Sequence, residues 1–251
     1  MLIKKKLLHI IELQHTLNQQ INPQWLDENY AFDTAILIES AELVDSFAWK
    51  WWKAGANDIA NAKVEVVDIM HFLVSYCLMF AYKADPNTDG LYSTASAYFL
   101  DMLKCADTEG AFATVDEVAN LNSSRYIAGV KLFISKLPSV AFNYAHNIGV
   151  SSCPNFSLKS LCRTFITHLA TPLFSSADEM LNMYIAKNML NKLRQNRGYK
   201  QGTYIKQWLG REDNEVVMEL VAANVDAADV TLAELYNLID AYYIERVAVN
   251  V

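Results

Sequence analysis

The sequence predicts an all-α fold, a helical bundle, on three observations. Apolar residues recur at spacings of three and four, as Leu7, Ile10, Leu13 and Leu17 do near the N-terminus, which is the periodicity of a helix with one buried face. Only 8 Gly and 5 Pro occur in 251 residues, too few turn residues for a β-sandwich or barrel. No two segments carry the turn and alternation signals of a β-hairpin.

The predicted helices follow one another closely. The first ends at Pro23, which cannot continue a helix. The second runs over 32–53 and stops near Gly55, a residue type common just after a helix. Further helices are predicted up to residue 82, with Asn57 or Asp58 as cap, and over 94–106, 115–137, 158–170, 177–197 and 232–247, with a glycine-containing basic loop at 198–210.

The chain divides into a predicted core and a predicted lobe. Residues 1–83 and 158–251 form the helical core, and 84–157 form an additional inserted helical lobe, with approximate boundaries. The division follows the chemistry, because the candidate site residues described below all fall outside 84–157.

Composition and charge restrict the class of protein. Hydrophobic residues make up 53% of the chain, which excludes a disordered protein. The net charge of −7 argues against a nucleic-acid partner. The four cysteines have no C-x-x-C spacing and are interpreted as reduced thiols. The most apolar segment, 69–82, has fourteen residues without a formal charge and is shorter than the roughly 20 residues of a membrane span. Without a targeting signal, we expect a cytoplasmic protein and no membrane partner.

Two pairs of acidic residues stand out. Glu39 and Glu42 are three residues apart in one predicted helix, and Glu65 and Asp68 are three apart in the next, so each pair shares a helix face. Their sequence neighbours are mostly Val, Ile and Leu, and a carboxylate among apolar groups protonates, pairs or binds a metal. If the two helices pack together, four carboxylates converge. Oxygen donors of this kind suit Mg²⁺, with Mn²⁺ as a possible substitute.

A second segment carries the opposite charge. Between Met180 and Arg211 there are seven Lys or Arg residues and no Asp or Glu. Such a stretch, with Gly198 and Gly202 allowing close backbone approach, suits a polyphosphate anion. A solvent-exposed basic helix end is the simpler interpretation of this segment by itself.

Three stretches together resemble the dimeric all-α dUTPases of the MazG-like all-α NTP pyrophosphatase superfamily. These are E-S-A-E-L-V-D-S-F-A-W-K-W-W-K at 39–53, E-V-V-D-I-M-H-F at 65–72 and K-N-M-L-N-K-L-R-Q-N-R-G-Y-K-Q-G-T-Y-I-K-Q-W at 187–208. The E-x-x-E and E-x-x-D pairs are specific for the superfamily, and the tryptophan and glycine stretches for its dUTPase branch. The resemblance covers about residues 14 to 208.

The resemblance implies an activity, a cofactor and a partner. It implies a Mg²⁺-dependent diphosphohydrolase that converts dUTP to dUMP and pyrophosphate, and dUDP to dUMP and phosphate, as a homodimer. Glu39, Glu42, Glu65 and Asp68 would bind the metal ions, and Glu39 would be the catalytic residue that orients or deprotonates the attacking water. Which phosphorus is attacked stays open.

The resemblance also implies substrate contacts. Gln14 and Asn18 would recognise uracil, Trp51 would line the base pocket, and His71 and Phe72 would pack under deoxyribose and exclude a 2′-hydroxyl. Base, sugar and phosphates would be bound by Lys187, Asn188, Asn191, Arg194, Tyr199, Lys200, Tyr204 and Lys206. Since one methyl group distinguishes thymine from uracil, rejection must be steric. We therefore expect the middle lobe or the loop 198–210 to move on binding.

Two alternatives stay open. The first is a related all-α pyrophosphatase that acts on dCTP or a modified nucleotide. The second is a non-catalytic helical binding protein with a decayed site.

Overall fold

The computed structural model describes residues 2–87, 90–101, 103, 106, 110–146, 156–224 and 232–248. Over these residues the chain is mainly helical, with one small two-stranded sheet, which confirms the all-α prediction. The helices are α1 (Leu2–Ile21), α2 (Phe32–Asp45), α3 (Ile59–Ala84), α4 (Leu91–Ser96), α5 (Val115–Ala119), α6 (Ser123–Ile134), α7 (Leu137–Ala145), α8 (Phe156–Thr164), α9 (Ala177–Asn196), α10 (Asp213–Asn224) and α11 (Leu232–Tyr242). A 3₁₀ turn occupies Trp25–Asp27, and π-helical turns extend α8 over Phe165–Ala170 and α11 over Tyr243–Val247.

The chain forms two compact units, Met1–Leu181 and Asn182–Val251. Of the predicted inserted lobe, 84–157, the described residues fall inside the first unit, and 147–155 lie outside the described residues. The lobe as a separate and mobile part stays a prediction.

The core of the first unit is built around α3. Asp58 caps this helix by accepting a 2.9 Å hydrogen bond from the Asn61 N–H, which confirms one of the two predicted caps. Helices α1, α2 and α4 pack against α3. Sixteen of its residues are buried, because its apolar side chains face helices on several sides.

Helix α3 is also long and apolar enough to cross a membrane by length and composition. The sequence prediction took only the uncharged segment 69–82, but the helix has 26 residues. Because 83% of its most apolar window is buried inside the structure, its apolarity is accounted for by the core.

The end of α2 differs from the prediction. The predicted helix 32–53 stops at Asp45. The Ser46 hydroxyl donates to the Glu42 carbonyl oxygen, and the Asn57 side chain accepts from the Ala48 N–H at 3.0 Å. The Ser46 and Asn57 side chains thus form hydrogen bonds with backbone groups around the end of the helix. Hydrophobic periodicity in the sequence does not reveal such bonds.

The second unit contains a short hairpin that the sequence analysis did not find. Strands β1 (Gln207–Trp208) and β2 (Arg211–Glu212) pair antiparallel, joined by Leu209 and Gly210, both with positive φ. Leu is an unusual residue in such a turn, so the usual sequence signal is missing. The Trp208 ring is fully buried and packs on Tyr242 and Tyr243.

Candidate functional site

Three of the four predicted metal-binding acids lie together in the first unit. Glu39 and Glu42 of α2 and Glu65 of α3 each offer a carboxylate oxygen, and these oxygens lie within 4.8 Å of one another. Glu65 is buried, Glu39 half-buried and Glu42 exposed. The acidic cluster, as these three residues are called below, therefore extends from the α2–α3 interface towards solvent.

The loop between the two helices positions the acidic cluster. The end of α2 and the start of α3 are held together where Asp58 N–H donates to the Ser46 carbonyl at 2.8 Å and Asn61 Nδ2 donates to Ser46 Oγ at 2.9 Å. These bonds fix the last turn of α2 against the first turn of α3. Glu42 and Glu65 lie within about one turn of Ser46 and Asn61, respectively.

The electrostatics of the acidic cluster favour a cation. Carboxylates this close repel one another, so an opposite charge stabilises their ionised forms. The lysines nearest in sequence bind other acids. Lys50 pairs with Asp45, and Lys63 pairs with Glu179. A set of carboxylate oxygens is the donor set of a hard cation such as Mg²⁺ or Mn²⁺, so these residues fit the predicted cofactor.

Two other acids of these helices lie outside the acidic cluster. Asp68 of α3 is half-buried and is not among the three residues whose oxygens meet within 4.8 Å. Its role as a metal ligand stays a prediction. Asp45, the last residue of α2, is exposed and accepts hydrogen bonds from Lys50 and Trp49, which hold the pKa of its carboxyl below the usual value.

An apolar cavity of about 310 Å³ is lined in part by residues of α2 and α3, the two helices that carry the acidic cluster. Asn18 and Phe72, two of the predicted nucleotide contacts, line it, together with Ile21, Asn22, Trp25, Tyr30, Ala31, Phe32 and Ala35. Its size is at the lower end of the range for small-molecule sites. Among the polar groups of the lining, the Asn18 amide is the one that the family resemblance assigns to uracil.

Hydrogen bonds fix that amide. Gln14 Nε2 donates to Asn18 Oδ1 at 3.0 Å, and Asn18 Nδ2 donates to Ser75 Oγ at 2.9 Å. Gln14 is buried, and Ser75 lies on α3. The structure therefore brings together Gln14 and Asn18, as their spacing of four in α1 predicts.

The cavity and the acidic cluster share helix faces. Ala35 precedes Glu39 by four residues on α2, and Phe72 follows Glu65 by seven on α3. At 1.5 Å per residue these separations are about 6 and 10 Å along the helix axes. A base in the cavity and a polyphosphate at the carboxylates are consistent with such separations.

The tryptophans lie elsewhere than the sequence prediction placed them. The predicted helix 32–53 would carry Trp51 together with Glu39, but α2 ends at Asp45 and Trp51 follows in a turn. The predicted placement of Trp51 on this helix is therefore wrong. Trp51 is 89% exposed and contacts the Trp52 ring edge-on at 5.5 Å. It is not among the cavity-lining residues, and its role at the base stays a prediction.

His71 is buried on α3, next to Phe72. Its Nδ1 donates to the Val67 carbonyl oxygen at 2.8 Å, which leaves Nε2 as the nitrogen without the proton in the neutral ring. The bond fixes the ring orientation on the helix. His71 is absent from the cavity lining, so its contact with deoxyribose also stays a prediction.

A family model described as dUTPase matches residues 6–199, about three-quarters of the chain. The chain belongs to the dUTPase family. It is therefore a hydrolase of phosphoric anhydrides that acts on dUTP. The search of curated proteins gives no match.

The dUTPase match includes the acidic cluster and the cavity of the first unit. It also includes the predicted contacts of the second unit from Lys187 to Tyr199. Lys200, Tyr204 and Lys206 lie beyond its end.

In the second unit, the predicted phosphate-binding arginine is already paired. Arg194 donates through Nε and Nη2 to both carboxylate oxygens of Asp213, at 2.9 and 2.8 Å. Asp213 is fully buried, and it also accepts from the Tyr204 hydroxyl at 2.8 Å. Burial is the main cause that raises the pKa of the Tyr204 phenol, and the neighbouring Asp213 raises it further. Lys187, also buried, donates to Asn214 Oδ1 at 2.9 Å.

The charges of most Lys and Arg side chains in the basic segment are offset by Asp and Glu residues that follow the segment in the sequence. Besides Arg194, Arg197 pairs with Asp240, Arg211 pairs with Glu215 and Glu219, and Lys206 lies 3.5 Å from Glu212. The separation of charge seen along the sequence is thus much smaller in the folded second unit, and anion binding by this stretch stays a prediction.

The remaining predicted contacts of this unit lie on α9 and on the loop after it. Asn188 is buried, Asn191 is half-buried, and Tyr199 and Lys200 are exposed. Gly198 starts the loop with φ +87°, and a Cβ there would collide with Thr203 Oγ1, so the turn requires glycine.

Asp213 and Asn214 are the residues that sequence reasoning missed. The signal was R-E-D-N at 211–214, acidic and amide side chains directly after an acid-free stretch. No helical spacing connects them to Lys187 and Arg194, so periodicity could not pair them.

Proposed function

We propose that this dUTPase is a Mg²⁺-dependent diphosphohydrolase that converts dUTP and water to dUMP and pyrophosphate, and dUDP and water to dUMP and phosphate. The observation that carries the proposal is the acidic cluster, in which three carboxylates meet within 4.8 Å. Glu39, Glu42, Glu65 and Asp68 would hold the metal ions, and Mn²⁺ could substitute for Mg²⁺.

The chain's own residues have distinct tasks in this proposal. Glu39 orients the attacking water and accepts its proton, while oxygen bonds to phosphorus and the bond to the departing phosphate group breaks. Half-buried, Glu39 combines access to water with a fixed position on α2. Bound Mg²⁺ would offset the charge of the phosphate oxygens.

Base and sugar selection are assigned to the cavity. The Asn18 amide, oriented by Gln14 and Ser75, would hydrogen-bond uracil, and Phe72 would leave no room for a 2′-hydroxyl. Cytosine would be rejected because its donor and acceptor pattern at C4 and N3 is reversed. The residues of the second unit that the family resemblance assigns to the nucleotide are proposed to contribute to its binding, directly or by holding a neighbouring contact in place.

We also propose a homodimer. Leu37 and Ile38 are exposed on α2, and Trp51 and Trp52 are exposed in the turn that follows. Exposed apolar side chains of this size are typical of an interaction surface. Sedimentation of the purified protein would measure the dimer directly, and a monomer at micromolar concentration would contradict it.

A nucleotide panel tests the reaction. dUTP, dUDP, dCTP, dTTP and UTP are each incubated with Mg²⁺ or with a chelator, and products are separated by ion-exchange chromatography. Metal-dependent conversion of dUTP and dUDP to dUMP, with the others spared, is expected. Preference for dCTP would favour the related-pyrophosphatase alternative, and no hydrolysis by folded protein would favour the binding protein.

A single variant tests the assigned base. Glu39→Gln keeps the size of the side chain but cannot accept the proton, so kcat should fall at least about 100-fold. The matched control is Asp45→Asn, an exposed acid of the same helix outside the acidic cluster, which should keep wild-type activity. Full activity of Glu39→Gln would refute the assignment.

A further inference from the structure

The start of α10 contacts several predicted nucleotide-binding residues at once. Buried Asp213 binds the Arg194 guanidinium through two hydrogen bonds, and Asn214, the next residue, accepts from Lys187 Nζ. Lys187 and Arg194 are seven residues apart, so they lie on one face of α9. The adjacent side chains of Asp213 and Asn214 thus bind Arg194 and Lys187, respectively, on that face.

The same aspartate holds the loop after α9. Its carboxylate accepts from the Tyr204 hydroxyl, and its backbone N–H donates to the Lys206 carbonyl oxygen at 3.1 Å. Stacking of Tyr204 on Tyr243, with ring centroids 5.2 Å apart, adds a second attachment of the loop. Asp213 therefore connects the helix face and the loop.

Arg194 passes this constraint to Asn191. Arg194 Nη1 donates to Asn191 Oδ1 at 3.3 Å. A guanidinium can only donate, so the bond fixes which end of the amide is the oxygen and presents Nδ2 as a donor. Within the part of the chain that the structure describes, no hydrogen bond from Asn191 Nδ2 is found. A substrate oxygen can accept from it.

We propose that Asp213 and Asn214 are positioning residues for the nucleotide: Asp213 fixes the Asn191 amide as a hydrogen-bond donor through Arg194, and Asn214 fixes Lys187. This rests on the proposed function, since it takes Asn191 and Lys187 as nucleotide contacts. The group they meet is an oxygen acceptor of the base, sugar or phosphates. Arg194, whose charge Asp213 offsets, orients Asn191 instead of binding phosphate itself.

A kinetic cycle tests the path from Asp213 to Asn191. KM and kcat for dUTP are measured for Asp213→Asn, Asn191→Leu and the double variant. Each single variant should raise KM about tenfold, the loss of one hydrogen bond, with a smaller change in kcat. The double variant should be little worse than Asn191→Leu, because both remove the same contact. Fully additive effects would overturn the proposal.

The chain offers a matched control. Asp240 binds Arg197 with the same two-bond geometry in the same unit, at 2.8 and 2.6 Å. Neither residue is a predicted nucleotide contact. Asp240→Asn should leave KM for dUTP unchanged, and its combination with Asn191→Leu should be additive. An equal rise of KM in Asp240→Asn would show that the effect of Asp213→Asn comes from general destabilisation and not from positioning of the nucleotide contacts.

A second variant tests the proposal if Asp213→Asn does not fold. Arg194→Lys keeps the positive charge next to Asp213 but lacks the fork that reaches two partners, so it should raise KM to a similar extent. If wild-type protein hydrolyses dUTP while Arg194→Lys and Asp213→Asn keep its KM, this inference fails and the proposed function stands. If wild-type protein hydrolyses no nucleotide of the panel, both fail.

Discussion

In the first unit carboxylates meet one another, whereas in the second unit carboxylates meet arginines. The carboxylate oxygens of Glu39, Glu42 and Glu65 lie within 4.8 Å of one another. The Asp213 carboxylate instead accepts from Nε and Nη2 of Arg194. Like charges held together are stabilised by an added cation, but a matched pair offsets itself. The acidic cluster is therefore suited to binding an ion, and the second unit to holding side chains in position.

The largest expected effect is on catalysis in the first unit. Glu65→Gln removes the buried member of the acidic cluster, and kcat should fall about 1000-fold, equal to about 4 kcal/mol of transition-state stabilisation. The variant should stay folded, because Gln keeps the size of the Glu side chain. A kinetic assay with thermal unfolding measures both, and a large loss of stability would show that Glu65 supports the fold instead.

The second effect is on stability in the second unit. Asp213→Ala leaves a largely buried Arg194 without its carboxylate and should lower the free energy of unfolding by about 3–5 kcal/mol. Asp240→Ala, whose pair with Arg197 is more exposed, should lower it by about 1 kcal/mol or less. Urea unfolding compares the two variants. Equal losses would mean that burial does not distinguish the pairs.

A smaller effect is expected at the cavity. Phe72→Ala opens space next to the predicted sugar position and should raise kcat/KM for UTP relative to dUTP about tenfold, within the range by which a pocket discriminates small groups. Ile21→Ala, a more exposed lining residue on α1, is the control and should leave this ratio unchanged. An unchanged ratio in Phe72→Ala would remove Phe72 from sugar selection.

The smallest effect is on acid stability. Burial lowers the pKa of His15, which packs against Trp25 and Tyr92. The unfolded chain therefore takes up this proton first, and the contribution of neutral His15 to stability, present above pH 6.5, is lost as the pH falls through the lower folded pKa. His15→Gln should show a flatter stability profile below pH 6.5, whereas His146→Gln, at an exposed position, should not.

Spacing along the sequence predicted the contacts that form within a single helix. Glu39 with Glu42, and Gln14 with Asn18, share helix faces because they are three and four residues apart, and the structure keeps them so. The end of α2 was missed because Ser46 and Asn57 act through side-chain hydrogen bonds that leave no periodic trace. Asp213 was missed because 19 residues and a loop separate it from Arg194.

Cation binding by the acidic cluster is tested most directly with the metal alone. Mn²⁺ is titrated into wild-type protein without nucleotide, and the loss of the free-ion signal is followed by electron paramagnetic resonance. Wild-type protein and an Asp45→Asn/Asp240→Asn double variant should bind Mn²⁺, and a Glu39→Gln/Glu65→Gln double variant should not. Equal binding by all three proteins would contradict the assignment of the ion to Glu39, Glu42 and Glu65.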